Sequence, residues 1–499
     1  MVMAIVAVSI VVRLWPLNGG SSDYQDEGVY WESLRLLASG HPLFSRVFSS
    51  QPPFFLYGLL PFYTLLGSTL AAARAGVAAY SLLGLLGVAY LARTTTNAGR
   101  SLAASLAGVG ACALLAVDPL YLPASYSLQA EGPALGLGAA GVALAAGAAS
   151  VAGARRVALA ILGGVVVGLG IMTKLFDVVA LPPAMLYLVA PSFAADDLSP
   201  LGERMGRAIS VLAVFGSGVA AALVVTAAPA LLAHAPLYDQ AVRFHLEAEH
   251  TYLATNLSAN IMVIKEAAAV AYSPLYVVLA LAACLLAALR RSWNVLPPLV
   301  WLAGGLAELA RQQPLLGHQL VLIAPPLAVL GGLGLGQAVG LEQGGLGKVA
   351  RAVSTAVVGA LLCLVVVLGA TTGLAAARTA STPTPPAVTA LASALERATA
   401  PGEVVATDYQ YVAALAGRSV VPFLVDTSSV RIAVGYNDAH ILSTAATEKE
   451  IDAGHVRVIL SANRRFAQLA GFLSWVQQHY RAAATFGPGQ VLYVRDTPW

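Results

Sequence analysis

The chain has 499 residues, of which 58% are hydrophobic and only 11% charged, with a formal net charge of +3. A soluble domain carries about 25% charged residues, so this composition excludes an ordinary soluble protein and points to a polytopic membrane protein. The charge is too small to argue for a nucleic-acid partner. Cys112, Cys284 and Cys363 all fall inside apolar runs, without CxxC spacing, and read as small core residues rather than disulfides or zinc ligands.

Met1 to Leu17 is apolar, lacks a basic n-region and a small-residue cleavage site, and reads as a retained first span. The next stretch, 19–55, is the first long polar break. It carries Asp23, Asp26 and Glu27 between apolar segments, and acidic groups close to a bilayer are costly enough to be functional suspects. Ser22 and Gln25 fit a capping box, with Asp23, Asp26, Glu27 and Tyr30 on one helical face. Leu34, Leu37 and Ala38 continue the stripe, Gly40 suits the residue after the helix, and Pro42 stops it. The ordinary account of such acids is favourable interaction with the helix dipole, about 0.3–1 kcal/mol each.

Hydropathy then predicts about eleven spans, at 2–18, 71–92, 101–117, 129–150, 157–172, 175–191, 208–229, 267–289, 293–310, 319–338 and 352–374. The piece 53–67 is apolar but short, bracketed by Pro52-Pro53 and Gly67, and reads as a juxtamembrane or re-entrant helix of the first loop. One alternating set of loops holds Arg93 and Arg100, Arg155-Arg156, Arg204 and Arg207, Arg290-Arg291, then Lys348 and Arg351. The positive-inside rule puts these five clusters and the N-terminus in the cytoplasm. The loops 19–70, 118–128, 173–174, 230–266 and 311–318 and the C-terminal tail then lie outside.

Within loop 230–266, His245 and Glu249 stand four apart and could share a metal, although an amphipathic interfacial helix explains them better. Tyr24, Trp31, Tyr57 and Tyr63 read as an interfacial aromatic belt. Thr382-Pro-Thr-Pro-Pro386 is a linker. It divides a membrane domain, 1–378, from a soluble α/β domain, 379–499. Strands are expected at 404–406, 420–422, 456–460 and 491–494, and helices at 387–399 and 464–482. No glycine-rich phosphate loop, nucleotide fingerprint or fixed-period repeat is present.

An ordered set of residues along the chain resembles a known family. Asp26-Glu27 with Tyr30, Gly40, Gln51-Pro52-Pro53, Gly67 and Arg74 come first. Asp118-Pro119, Gln129-Ala130-Glu131, Thr173-Lys174 and His318-Gln319 through Pro325-Pro326 follow in order. Together they are similar to the GT-C glycosyltransferases of the protein O-mannosyltransferase and aminoarabinose-transferase type. The resemblance spans nearly the whole chain, including the soluble tail. It implies a sugar donor on a polyprenyl phosphate and inverting transfer to a lipid, glycan or protein acceptor outside a bacterial plasma membrane.

Under that resemblance Asp26 is the expected base for the acceptor hydroxyl, with Glu27 beside it. Glu131 is the second acid, orienting the acceptor or binding a metal. Many relatives carry Lys or Arg before the Pro-Pro pair, where this chain has Gln51. Lys174, His318, Arg74 or Arg311 would then supply the cation for the donor phosphate, with Tyr30 and Gln51 lining the substrate site. A divalent metal is compatible with this chemistry, and nothing in the sequence requires one. Two other readings stand beside it. One is a flippase of lipid-linked glycans, whose pathway acids would include in-span groups such as Asp177 and Glu308. The other is an inactive accessory subunit, which Gln51 keeps open.

Overall fold

The computed structural model describes residues 1–20, 24–96, 102–193, 199–251, 257–269, 273–289, 293–313, 315–339, 348–433 and 442–495. Each predicted span falls on a helical segment. In chain order the first helices are α1 (Val2–Leu14), α2 (Tyr24–Ala38), α3 (Pro53–Leu65), α4 (Leu70–Thr95), α5 (Leu102–Ala116), α6 (Tyr121–Ala124), α7 (Glu131–Ala149) and α8 (Gly153–Ile171). Then come α9 (Leu181–Val189), α10 (Leu201–Leu232), α11 (Phe244–Thr251), α12 (Leu257–Ala269), α13 (Ser273–Leu289), α14 (Leu296–Arg311), α15 (Ala324–Val339) and α16 (Lys348–Ala380). Among the described residues, seven helical stretches are long and apolar enough to cross a membrane. The remaining predicted spans, on α1, α5, α13 and α14, are shorter helices. Pro16 turns the end of the first into a 3₁₀ segment, Trp15–Asn18.

α7 and the stretch Gly317–Val339, which ends in α15, are the most buried of the long apolar helices. Small residues make that possible in α7. A Cβ on Gly136 would stand 2.2 Å from the Tyr80 carbonyl oxygen, so α4 and α7 meet backbone to backbone. Cys112 is buried as expected, but Cys363 is exposed on the outer side of α16, so it is not a core residue.

The first polar break folds as predicted where it is described. Gly40 has φ +90 and ends α2, with the His41 N–H bonded to the Leu36 carbonyl. Gly67, at φ +106, turns the chain from α3 into α4, whose Thr69 side chain accepts from the Ala72 N–H. Ser22 and Asp23 lie outside the described residues. Trp31 and Tyr63 are buried, so they belong to a core and not to an interfacial belt; Trp31 packs edge-on against Tyr411 at 5.6 Å.

After α16 come α17 (Pro386–Ala398), β1 (Ala406–Thr407), α18 (Gln410–Leu415), α19 (Ser429–Ala433), α20 (Thr444–Ala453), β2 (Val458–Ser461), α21 (Phe472–His479), β3 (Arg481–Gly487) and β4 (Gln490–Val494). The strands form one sheet in the order β1-β2-β4-β3, parallel at β1/β2 and antiparallel elsewhere. Two expectations need correction. Residues 420–422 contribute only a bridge from Val420 to Val405. The helix expected at 464–482 is confined to α21, because Arg464 and Gly471 take positive φ, and 481–487 is an edge strand. Its alanines favour a helix locally, but pairing with β4 through the Gly489 turn decides the outcome.

The C-terminal unit is not a separate bead on a linker. Leu34, Phe55 and Val77 share one apolar cluster with Leu391, Val412 and Leu460. A Cβ on Gly28 would stand 2.4 Å from the Tyr411 backbone nitrogen, so only glycine admits α18 this close to α2. Arg431, fully buried, lies over Phe48 at 4.3 Å and Phe423 at 4.6 Å.

Candidate functional site

The polar groups sort into two ends of the bundle. At one end Asn294 donates to the Thr95 carbonyl, Thr95 bonds Tyr187, Arg156 donates to Leu188 and Arg204 to Ser192. At the other end lie the first loop, the segment after α5, the turn after α8, the loop before α11 and the 3₁₀ turn before α15. This is the grouping that the alternating basic clusters predict.

At this second end the first cluster is centred on Glu27. Its carboxylate receives Arg74 Nε at 2.8 Å and Nη2 at 2.5 Å, and the Leu128 N–H at 2.6 Å. The same guanidinium donates to the carbonyls of Pro16, Leu17, Gly19 and Gly20. All five N–H donors are thereby engaged. The expected phosphate contact of Arg74 is replaced by a clasp joining α2, α4, the end of α1 and the segment leading into α7. Glu27 is sealed within it, with no exposed surface. Asp26, one residue earlier, points about 100° away around the helix and is half-buried.

The second cluster is Glu131, Lys174 and His318. Lys174 Nζ is in direct ion-pair contact with Glu131 Oε1, and His318 Nε2 stands 3.4 Å from the same oxygen. The three come from the start of α7, the turn after α8 and the 3₁₀ turn Gly317–Ile323. The Glu131 side chain is 3% exposed, that of Lys174 14% and that of His318 26%. Lys174 and His318 therefore face a more open side than the acid that holds them. Lys174 also lies over the Phe176 ring, 5.3 Å from its centre.

Gln51 lies between these groups and the loop before α11. Ser49 Oγ donates to the Gln51 carbonyl at 2.9 Å, and the Ser49 N–H donates to Gln240 Oε1 at 3.0 Å. His245 Nε2 bonds the Ser50 carbonyl at 2.7 Å, and burial lowers its pKa first of all. The Phe54 N–H reaches the Met172 carbonyl at 2.9 Å, which brings the Pro-Pro turn to within two residues of Lys174. The cation missing at position 51 thus has a counterpart nearby. Tyr30 packs edge-on against Phe55, ring centres 4.9 Å apart. Arg311 is different: its side chain is 77% exposed and pairs with Glu308 at 3.3 Å, and no described contact joins it to Glu131 or Lys174.

Two further acids shape this end. Asp118 accepts from the N–H groups of Leu120 and Tyr121, and burial pushes its carboxyl up to about 6. It shapes the segment running to Glu131. Asp408 accepts four backbone N–H groups, from Ala462, Asn463, Arg465 and Phe466. The loop so fixed sends Asn463 and Arg465 side chains to Gln25 Oε1, beside Asp26. The Glu249 side chain lies outside the described residues, so its pairing with His245 is not described. Among the described residues no group of three or more His, Cys, Asp or Glu side chains converges as a metal site.

The whole chain superposes on the aminoarabinose transferase ArnT from Cupriavidus metallidurans, with a TM-score of 0.64. The match covers 99% of this chain and 97% of that one at 15% identity, and a second ArnT structure, bound to undecaprenyl phosphate, matches equally. The chain has the GT-C fold. The oligosaccharyltransferase AglB from Archaeoglobus fulgidus, in complex with an inhibitory peptide and a dolichol-phosphate, is similar at TM-score 0.51 and 14% identity, over 100% of this chain and 75% of its own. The arabinofuranosyltransferase AftD from Mycobacteria matches at TM-score 0.54 and 14% identity, over 99% of this chain but 40% of its own. No family model and no curated protein matches the sequence.

Proposed function

We propose that the protein is an integral-membrane glycosyltransferase that takes a sugar from a polyprenyl-phosphate donor. The acceptor is a lipid, glycan or protein on the extracytoplasmic face, and transfer inverts the anomeric centre. In this reading residues 1–378 form the membrane unit and 379–499 an extracytoplasmic unit, in a bacterial plasma membrane with the N-terminus in the cytoplasm. The observation that carries the proposal is the unequal pair of acid–base clusters at one end of a GT-C bundle. One is closed and saturated. The other offers Lys174 and His318 toward the open side.

The chemistry follows from that inequality. The donor phosphate sits against Lys174 and His318, which Glu131 holds in place. The acceptor oxygen attacks the anomeric carbon from the opposite face while the bond from that carbon to the phosphate oxygen breaks. Negative charge grows on the leaving polyprenyl phosphate, and fixed cations lower the barrier most where charge develops. The acceptor proton passes to Asp26, the less buried member of the Asp26-Glu27 pair. Glu27 and Arg74 act as positioning residues that fix the Asp26 helix over the segment carrying Glu131. Arg311 has no part in this site. Tyr30 and Gln51 border it.

The test is sugar transfer in membranes holding the full chain, supplied with labelled polyprenyl-phosphate sugar. Asp26→Asn is expected to abolish transfer while the protein stays folded. Transfer at the wild-type rate would remove the assignment.

A further inference from the structure

Leu43, Phe44, Val47, Phe48, Ser49 and Gln51 are all buried, although the stretch they form is neither helix nor strand. It leads into the Pro52-Pro53 turn beside Lys174, and its one internal pairing is the Leu43–Val47 bridge. Backbone groups buried in such a segment need partners from outside it. Gln240, 3% exposed, serves two of them. Its Oε1 accepts from the Ser49 N–H at 3.0 Å, and its Nε2 donates to the Phe44 carbonyl at 2.7 Å. His245 Nε2 serves a third, donating to the Ser50 carbonyl at 2.7 Å.

Two uncommon backbone features meet at this amide. Phe44 has φ +67, which is costly for a bulky side chain, and Gln240 lies in the π-helical turn Asp239–Arg243 ahead of α11. Strain of this kind persists where the surroundings fix it, and it gathers at functional sites. The two partners also dictate the side chain between them. The Ser49 N–H can only donate and the Phe44 carbonyl can only accept, so one acceptor and one donor are required. Leucine would leave both groups unpaired, and glutamate would set an oxygen against the carbonyl.

We infer that Gln240 is a positioning residue for the donor phosphate and acts through Lys174. The path between them is continuous. Ser49 Oγ bonds both the N–H and the carbonyl of Gln51, at 3.2 and 2.9 Å. Pro52 and Pro53 then fix φ and leave the chain little play as far as Phe54. The Phe54 N–H holds the Met172 carbonyl at 2.9 Å, and Met172 opens the turn in which the Lys174 N–H bonds the Gly170 carbonyl at 3.0 Å. Loosening the Gln240 splint therefore loosens the seat of the Lys174 ammonium group. This role rests on the proposed placement of the phosphate at Lys174.

Binding of undecaprenyl phosphate to the full chain in nanodiscs, measured as a double-mutant cycle, tests it. Gln240→Leu is expected to raise Kd by about fivefold, and adding it to Lys174→Gln should raise Kd no further, because one residue acts through the other. His245→Gln, which keeps an N–H for the Ser50 carbonyl, should weaken binding less than His245→Leu. Melting temperature and size-exclusion profile show whether each variant is folded; if Gln240→Leu is not, His245→Leu enters the same cycle with Lys174→Gln. A folded Gln240→Leu variant with the wild-type Kd, beside a weakened Lys174→Gln, would overturn the inference and leave the phosphate placement standing. So would losses that multiply in the double variant, the mark of a merely structural role. A wild-type Kd in Lys174→Gln alone would overturn the phosphate placement, and this inference with it.

Discussion

Glu27–Arg74 and Glu131–Lys174 are both buried acid–base pairs at the same end of the bundle, yet they differ in what remains available. Arg74 has every N–H donor taken by Glu27 and four backbone carbonyls. Lys174 shares its carboxylate with His318 and is more exposed than the acid. A saturated buried pair can only hold parts together, because moving either partner strands a charge. An unsaturated pair can exchange one partner for an incoming anion at little cost. We therefore read the first as scaffold and the second as substrate site.

The sharpest way to break this contrast is at Asp26, which the closed pair holds in place. Asp26→Asn should lower kcat by about 10²–10⁴-fold, the usual worth of a general base, with the protein still monodisperse. A loss of folded protein instead would make Asp26 part of the scaffold. Next, Arg74→Gln should destabilise by about 3–5 kcal/mol, since it leaves Glu27 buried and unpaired. Thermal unfolding of the purified protein measures this, and a folded but inactive variant would place Arg74 in the chemistry instead. Lys174→Gln should do the opposite, costing about 10²–10³ in kcat with the melting temperature little changed.

The smallest effect concerns how the C-terminal unit docks on the first loop. Glu32 is buried at that contact, accepting from the Val420 N–H at 3.3 Å beside Arg35 at 3.1 Å. Burial raises its carboxyl from 4.5 to about 7. The folded state therefore binds a proton more tightly than the unfolded chain. Its stabilising contribution is complete below pH 4.5 and is lost as pH rises through about 7. Glu32→Gln should flatten that part of the stability profile. An unaltered slope in a pH series of thermal melts would show that another group titrates there.

The placement of helices and the gathering of polar groups at one end were legible because both follow from patterns repeated along the chain. Five basic clusters in phase constrain the loops together, so the loops carrying Asp26, Glu131, Lys174 and His318 were readable as lying at one end. The division of labour inside Asp26-Glu27 was not. It depends on Arg74 meeting Glu27 and on the carbonyls of 16–20 converging there, which neighbouring residues do not encode. Arg74 and Arg311 looked alike as cations near a boundary. Only packing separates a saturated guanidinium from one exposed beside Glu308. Arg13, fully buried inside α1 near the Ala116 carbonyl, was hidden for the reverse reason: one charge in a strongly apolar run hardly alters its hydropathy. The strand β3 was missed because its alanines carry no period of two.

The most direct measurement is binding of undecaprenyl phosphate to the purified full chain in nanodiscs, wild type against Lys174→Gln. The account predicts a Kd higher by about tenfold or more in the variant, the worth of one charge-assisted hydrogen bond. Equal affinity in a folded variant would contradict it, because the open pair would then not be where the phosphate sits.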